Sequence, residues 1–200
     1  MTIGSRREIA PFVDAIAFIV EARDPYLSGH QRRVGLLSEA IALRMGMSVD
    51  DSALVRLSGE LHDVGKIATP LGILNRSGRL SGSEMEIVKR HSLTGEEILR
   101  LADCPWPLAL VAGQHHERLD GSGYPRGLTA DEIVLPAKIV AVADVVEAMS
   151  SHRPYRPSMG TPTALDEVAD GAGRLYDATV VGICLELFVE GFTFDDLSDQ

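Results

Sequence analysis

The sequence predicts an all-α fold, and three observations carry that expectation. Apolar residues recur at the three- and four-residue spacing of helices almost throughout, rather than alternating as in strands. Helix-starting signals (Asp24-Pro25, Ser48, Ser81 with Glu84, Thr161-Pro162) stand ahead of those periodic runs. No internal repeat, low-complexity tract or Pro/Ser/Gly linker divides them, so residues 1–200 read as one domain with its core over about 11–190.

Taken in order, Phe12, Ile16, Ile19 and Val20 give a first helix after Pro11. Asp24-Pro25 pairs an N-cap with a first-turn proline and opens a helix that runs to Gly46. Ser48 caps a third helix through Leu54, Leu57 and Leu61, whose end delivers His62 and Asp63. Over 67–79, Pro70, Gly72, Asn75 and Gly78 mark a loop. Ser81 and Glu84 form a capping box for a helix ending near His91, with a separate helix over 94–101. A further helix over 106–117 carries His115 and His116 at its end, and 120–127, with three glycines and a proline, is loop. Thr129 with Glu132 repeats the capping pattern in a short turn. Pro136 then starts a helix through Ile139, Val142, Val146 and Met149. Helices from Thr161 to Gly171 or Gly173 and over 177–189 complete the bundle, and 191–200 reads as an acidic, fraying tail.

Composition narrows the class. With 45% hydrophobic and 24% charged residues the chain reads as soluble and globular. A formal charge of −10 argues against a protein that coats a nucleic-acid polymer, so the counter-charge for any anionic substrate must be local. Cys104 and Cys184 show no CxxC spacing and read as free thiols of a reducing compartment. Arg6-Arg7 precede an apolar stretch, but Glu8, Pro11 and Asp14 interrupt it and no small-residue cleavage site follows, which excludes a signal peptide. Nothing approaches the roughly 20 apolar residues of a membrane span. The expectation is a cytoplasmic protein that does not bind membranes.

The chemistry concentrates in Leu61-His62-Asp63-Val64-Gly65-Lys66. Neighbouring helical residues point about 100° apart, so His62 and Asp63 can share one metal while the second oxygen of Asp63 reaches another. Lys66 follows at same-face spacing, placing its charge over whatever the metals hold. Of six histidines, His30, His62, His91, His115 and His116 fall at helix ends or on helix faces, whereas His152 sits among polar neighbours and reads as solvent-facing. His115-His116-Glu117 fits a solvated helix end as well as a metal site. Asp144 is sharper, because it interrupts the apolar run from Ile139 to Val146 and a buried carboxylate needs a partner or a cation. Imidazole and carboxylate without thiolate favour Fe or Mn over structural Zn, and so many nitrogens do not suit Mg.

His62-Asp63-Val64-Gly65-Lys66, His91, His115-His116-Glu117, Asp120-Gly121-Ser122-Gly123-Tyr124-Pro125 and Ala143-Asp144, in that order, resemble an HD-GYP domain. That is the branch of the HD phosphohydrolase superfamily with an added Gly-Tyr-Pro loop. The resemblance covers about 24–157 and implies a helical HD-domain bundle that hydrolyses cyclic di-GMP to pGpG or GMP. Hydroxide would attack at a centre of two divalent metals, Fe or Mn. It implies that His62, Asp63 and Asp144 hold one metal, and that Asp63 bridges to a second held by His91, His115 and His116. Lys66 matches the lysine that steadies the scissile phosphate or the attacking hydroxide, Arg153 and Arg156 match phosphate contacts, and Gly123, Tyr124 and Pro125 match the bordering loop. Some members complete a third metal site with a Glu four residues before the early histidine; here that position is Tyr26, so two metals are expected and His30 becomes a weak or outer ligand. His152 stands where Asp is common, and Arg76-Ser77 where Lys-Pro is. Only a short segment precedes the first helix, so regulation is expected from a partner such as a separate sensor protein, from a homodimer contact, or from nothing. Two other readings compete: a non-catalytic cyclic di-GMP receptor or interaction module, and an HD hydrolase of another nucleotide.

Overall fold

The structure, a computed structural model, describes residues 6–23, 28–76, 78–102, 106–151 and 158–194. The helices run α1 (Arg6–Arg23), α2 (His30–Arg44), α3 (Val49–Leu61), α4 (Leu71–Leu74), α5 (Gly82–Arg100), α6 (Leu108–Gln114), α7 (Leu135–Ser150), α8 (Thr161–Asp170) and α9 (Ala178–Val189). A 3₁₀ turn, Val64–Ala68, follows α3. Among the described residues there is no strand, only two isolated bridges, Asp120 to Thr129 and Ala172 to Tyr176. Among the described residues, no helix is long and apolar enough to cross a membrane.

Helix α7 lies at the centre because it is apolar on nearly every side. Its Ala137, Ile139, Val140, Val142, Ala143 and Val146 are fully buried against Val34, Leu37 and Ile41 of α2 and against α8 and α9. Each large apolar side chain so removed from water contributes about 1.5–3 kcal/mol. The polar exceptions on α7 carry the consequence: Asp144 and Glu147, one turn apart, share a face of this buried helix. A second apolar cluster joins Val13 and Val20 of α1 to Leu57 and Leu61 of α3, Val64, Leu99 and Leu108. Between the two clusters, α2 and α3 cross closely enough that a Cβ on Gly59 would stand 2.9 Å from the Gly35 Cα. That crossing brings the first residue of α2 beside the last turn of α3, which is where His30 meets His62.

Where local chemistry sets a boundary, expectation and structure agree. Ser48 accepts the Asp51 N–H at 3.1 Å, and Ser81 with Glu84 forms a complete capping box. The Asp177 carboxylate accepts the N–H groups of Thr179 and Val180. Five expectations are corrected. First, α1 does not begin after Pro11 but contains it: the ring removes one helical hydrogen bond, while Val13 and Val20 on the buried face hold the helix together. Second, α2 starts at His30 behind a left-handed Gly29, and Asp24-Pro25 lies outside the described residues. Third, α5 is one helix of 19 residues rather than two. Gly95 inside it is not a stop signal but a place of close approach, since a Cβ on Gly65 would lie 1.9 Å from the His91 carbonyl and 2.5 Å from the Gly95 nitrogen. Fourth, part of the expected loop over 67–79 is helical, in the 3₁₀ turn and the single turn of α4. Fifth, of the tail expected to fray over 191–200, Phe192 and Phe194 are packed, and 195–200 lie outside the described residues. Phe192 and Phe194 stack on Phe188 with centroids at 5.3 and 5.8 Å, because three aromatic rings outweigh their acidic neighbours.

Candidate metal centre

The side chains that converge come from five separate segments. His62 is the C-cap of α3, and Asp63 is the residue from which the 3₁₀ turn starts. His30 opens α2, His91 lies in mid-α5, His115 caps the end of α6 with His116 next to it, and Asp144 comes from α7. Gly65 lets the 3₁₀ turn lie directly on α5, so Asp63 is carried over His91.

These groups sort into two sets around the Asp63 carboxylate. Asp63 Oδ1 stands 3.3 Å from His91 Nε2 and 3.9 Å from His115 Nε2. Oδ2 stands 3.3 Å from His62 Nε2 and 3.9 Å from His30 Nε2, while Asp144 Oδ1 lies 3.4 Å from His30 Nε2 and 3.7 Å from His62 Nε2. In the set Asp63, His91, His115 and His116, and again in His30, His62 and Asp144, the ligand atoms all lie within 4.8 Å of one another. All except His116 and Asp144, which are half-buried, are sealed from solvent.

The tautomers follow from the neighbours. His62 Nδ1 donates to Gly59 O at 2.6 Å, His91 Nδ1 to Val88 O at 2.7 Å, and His115 Nδ1 to Ala112 O at 2.9 Å. A carbonyl can only accept, so each Nδ1 carries a proton and each Nε2 turns inward; in His91 and His115, whose pKa burial lowers, that Nε2 is a bare lone pair. The Nε2 atoms of His91 and His115 then face each other at 3.3 Å, two lone pairs with no proton between them. His30 Nε2, His62 Nε2 and Asp63 Oδ1 are buried without a hydrogen-bond partner. Buried polar atoms left in that state cost free energy, and a cation in each of the two sets would satisfy them. The residues present therefore fit a metal centre.

Electrostatics separates the two sets. Burial lowers the pKa of His91 and His116, and burial with the neighbouring His62 and His91 takes His115 down to about 3, so these rings are neutral and ready to ligate. For His62, burial opposes protonation, but Asp63 and Asp144 outweigh it and raise the ring to about 10. His30 is raised as well, against its burial, by Glu147 and Asp144. Burial works against the charged forms of Asp63 and Asp144 too. Lys66 and His62 nonetheless hold Asp63 well below the usual carboxylate range, and His30 and His62 do the same for Asp144.

Lys66 Nζ reaches Asp63 Oδ2 at 2.5 Å from the wall of a cleft of about 330 Å³. The cleft is walled by Ile73, Leu74, Leu80, Met85 and Val88, and His91, His116 and Tyr124 close its inner side. Tyr124 packs its ring on His116, centroids 4.6 Å apart, and Gly123 is pressed so tightly on the preceding turn that a Cβ would lie 2.4 Å from Glu117 Cα. Pro125 follows through a cis bond. The loop is tied down by Glu117, whose buried carboxylate accepts the Arg126 N–H at 2.7 Å and the Leu128 N–H at 3.0 Å.

Of the residues singled out from sequence, His62, Asp63, Lys66, His91, His115, His116, Gly123, Tyr124 and Asp144 come together around this centre and cleft. Arg153 and Arg156, with Tyr26 and His152, lie outside the described residues. His30 is placed differently from expectation: its Nε2 faces the same oxygens as that of His62, because α2 begins directly beside the end of α3. Sequence reasoning missed Glu147 and gave no role to Glu117. Glu147 had the same signal as Asp144, a carboxylate in an apolar run, one turn further on.

A family model described as HD domain matches residues 14–180. A cyclic di-GMP phosphodiesterase of Thermotoga maritima is 41% identical over 177 residues, 88% of this chain and 48% of the relative. The 3'3'-cGAMP-specific phosphodiesterase 3 of Vibrio cholerae is 40% identical over 153 residues, 76% of this chain and 33% of the relative. The chain thus spans a third to a half of the length of these curated relatives. Among solved structures, the HD-GYP-type protein Bd1817 of Bdellovibrio bacteriovorus superimposes with a TM-score of 0.67 at 20% identity, over 82% of this chain and 52% of that one; this likeness concerns the fold.

Proposed function

This chain belongs to the HD domain family, in its HD-GYP branch, and from that premise we propose that it is a metal-dependent phosphodiesterase that hydrolyses cyclic di-GMP to pGpG or GMP. The observation that carries the reading is the division of labour at Asp63, whose two oxygens each face a separate group of histidines, one of which borders a cleft through His91 and His116.

Asp63, His91, His115 and His116 would hold one divalent cation and His30, His62 and Asp144 a second, with Asp63 shared; Fe or Mn suits this mixture of imidazole and carboxylate. When bound, such a pair supplies a water acidified to hydroxide near neutral pH and positive charge opposite the phosphoryl oxygens. The chain supplies the rest. The backbone carbonyls behind His62, His91 and His115 fix the rings before substrate arrives. Lys66, at the boundary between the cluster and the cleft, offers an ammonium to the phosphate where charge develops. Ile73, Leu74, Leu80, Met85 and Val88 make an apolar wall for a purine ring. Gly123, Tyr124 and Pro125 border the site, and Arg153 and Arg156 are proposed to contact the phosphates. A cytoplasmic location, and a homodimer or separate sensor protein as the regulatory partner, belong to the same proposal.

A second reading is favoured by the Vibrio cholerae relative: a mixed purine cyclic dinucleotide, 3'3'-cGAMP, in place of cyclic di-GMP. One experiment separates the readings. The protein is purified anaerobically, bound Fe and Mn are quantified, and cyclic di-GMP and 3'3'-cGAMP are followed in parallel by chromatography. Two metals per chain with pGpG or GMP appearing supports the proposal. Faster loss of 3'3'-cGAMP moves the substrate to the second reading, and tight binding of either dinucleotide without product makes the domain a receptor.

A further inference from the structure

Three of the cluster imidazoles are oriented by neutral carbonyls three residues earlier in their own chain, those of Gly59, Val88 and Ala112. His30 cannot be held that way. It is the first residue of α2, so no preceding helical turn stands behind its ring. Its Nδ1 instead donates to Glu147 Oε2, from a residue 117 positions later on α7.

Glu147 is itself rigidly placed. It is fully buried, and its second oxygen, Oε1, accepts from Arg33 Nε at 2.7 Å and Ser151 Oγ at 2.6 Å, with Arg33 Nη2 paired to it at 2.6 Å. Oε2 is engaged by His30 and Oε1 by Arg33 and Ser151, and Glu147 belongs to neither set of converging ligand atoms. Arg33 lies one turn after His30 on α2, and Asp144 one turn before Glu147 on α7. The same two helices therefore present a ligand pair, His30 and Asp144, and behind it an anchoring ion pair, Arg33 and Glu147.

We propose that Glu147 is a positioning residue that makes His30, His62 and Asp144 a cation site by fixing His30 on a charged acceptor. The inference rests on the two-cation reading above. A hydrogen bond to a carboxylate is stronger than one to a carbonyl and makes the opposite ring nitrogen a better donor. The three-residue set needs that assistance more than the four-residue set, in which His91 and His115 are each backed by a carbonyl of their own helix. Removing the charge at Glu147 therefore weakens one cation site and leaves the other as it was.

The test reads metal binding rather than turnover. Metal-free full-length protein is dialysed anaerobically against graded Mn²⁺, and Mn per chain is measured by mass spectrometry. Wild type is expected to take up two equivalents. Glu147→Gln, which keeps the shape and an acceptor oxygen but no charge, should weaken one equivalent by about 10- to 100-fold and leave the other at its wild-type affinity. In a His30→Gln background, adding Glu147→Gln should change nothing further, because Glu147 acts through that ring. Ser151→Ala, which removes one clamp on Glu147 and retains its charge, should weaken the same equivalent by a few-fold; it provides the test if Glu147→Gln does not fold. Two equivalents of wild-type affinity in Glu147→Gln overturn the proposal, as does equal weakening of both or an added loss in the His30→Gln background. A wild type that holds fewer than two equivalents overturns the two-cation reading itself, and the proposal with it.

Discussion

The floor of the centre and the loop at its rim are held by different means. On the floor, His62, His91 and His115 each lean on a carbonyl three residues back, so the helix that carries the ring also aims it. At the rim, the backbone beyond Gly123 has no helix to define it, and the buried Glu117 carboxylate gathers the Arg126 and Leu128 N–H groups across nine and eleven residues. The Arg126 side chain adds a second tie, to Glu96 on α5 at 2.6 Å. A locally held group fails only when its own residue or helix is changed. A loop gathered on one carboxylate fails as a unit when that carboxylate is lost. The two regions should accordingly respond to substitution in different currencies, the floor in metal content and the rim in substrate affinity and loop order.

The largest effect is expected from the one floor residue common to both ligand sets. Asp63→Ala should abolish metal retention and bring turnover to background together, read by elemental analysis and by chromatography of cyclic di-GMP. Metal content near wild type in that variant would falsify the shared-carboxylate assignment. Next comes Lys66→Ala, which removes a donor at the junction of floor and cleft. Turnover should fall by roughly 10²-fold with bound metal unchanged, and loss of metal in this variant would place Lys66 among the structural supports of the floor.

A smaller effect, confined to the rim, is expected from Glu117→Gln. Replacing a charged acceptor of two backbone N–H groups should cost about 1.5–3 kcal/mol of local order. Hydrogen exchange at the Arg126 and Leu128 amides should accelerate and KM should rise several-fold, while metal content stays constant. If metal is lost as readily as substrate affinity, rim and floor are one unit and the contrast between them dissolves. The smallest effect lies in the apolar core behind both. Burial raises the Cys184 thiol to about 12, so it should resist a thiol reagent at pH 8 in the folded protein and react on unfolding. Rapid labelling of Cys184 in the native state would mean that this core opens far more readily than its packing implies.

Much of the fold was legible because many helix boundaries are set by groups a few residues apart. Ser48, the Ser81–Glu84 box and Asp177 satisfy backbone N–H groups within their own first turn, and nothing distant can change that arithmetic. Pro11 misled for the opposite reason: it is a breaker by local propensity and is overruled by the buried face of α1. The chemical residues were legible as types and in order, and the family resemblance already sorted them into the two sets the structure brings together, His30 apart. His30 looked peripheral because Tyr26 stands where some members have the Glu that completes a third metal site. Its actual support, Glu147, lies more than a hundred residues away.

The sequence by itself determined that helices form, where most of them start, and which imidazoles and carboxylates are available to a cation, since those follow from periodicity, capping and side-chain chemistry. Only the tertiary structure decided which oxygen of Asp63 faces which histidines, that His30 stands level with His62, and that Glu147 rather than water stands behind it. Those outcomes depend on how closely α2, α3, α5 and α7 approach one another, a property of glycine contacts and buried volume summed over the whole molecule that no single stretch of the chain encodes.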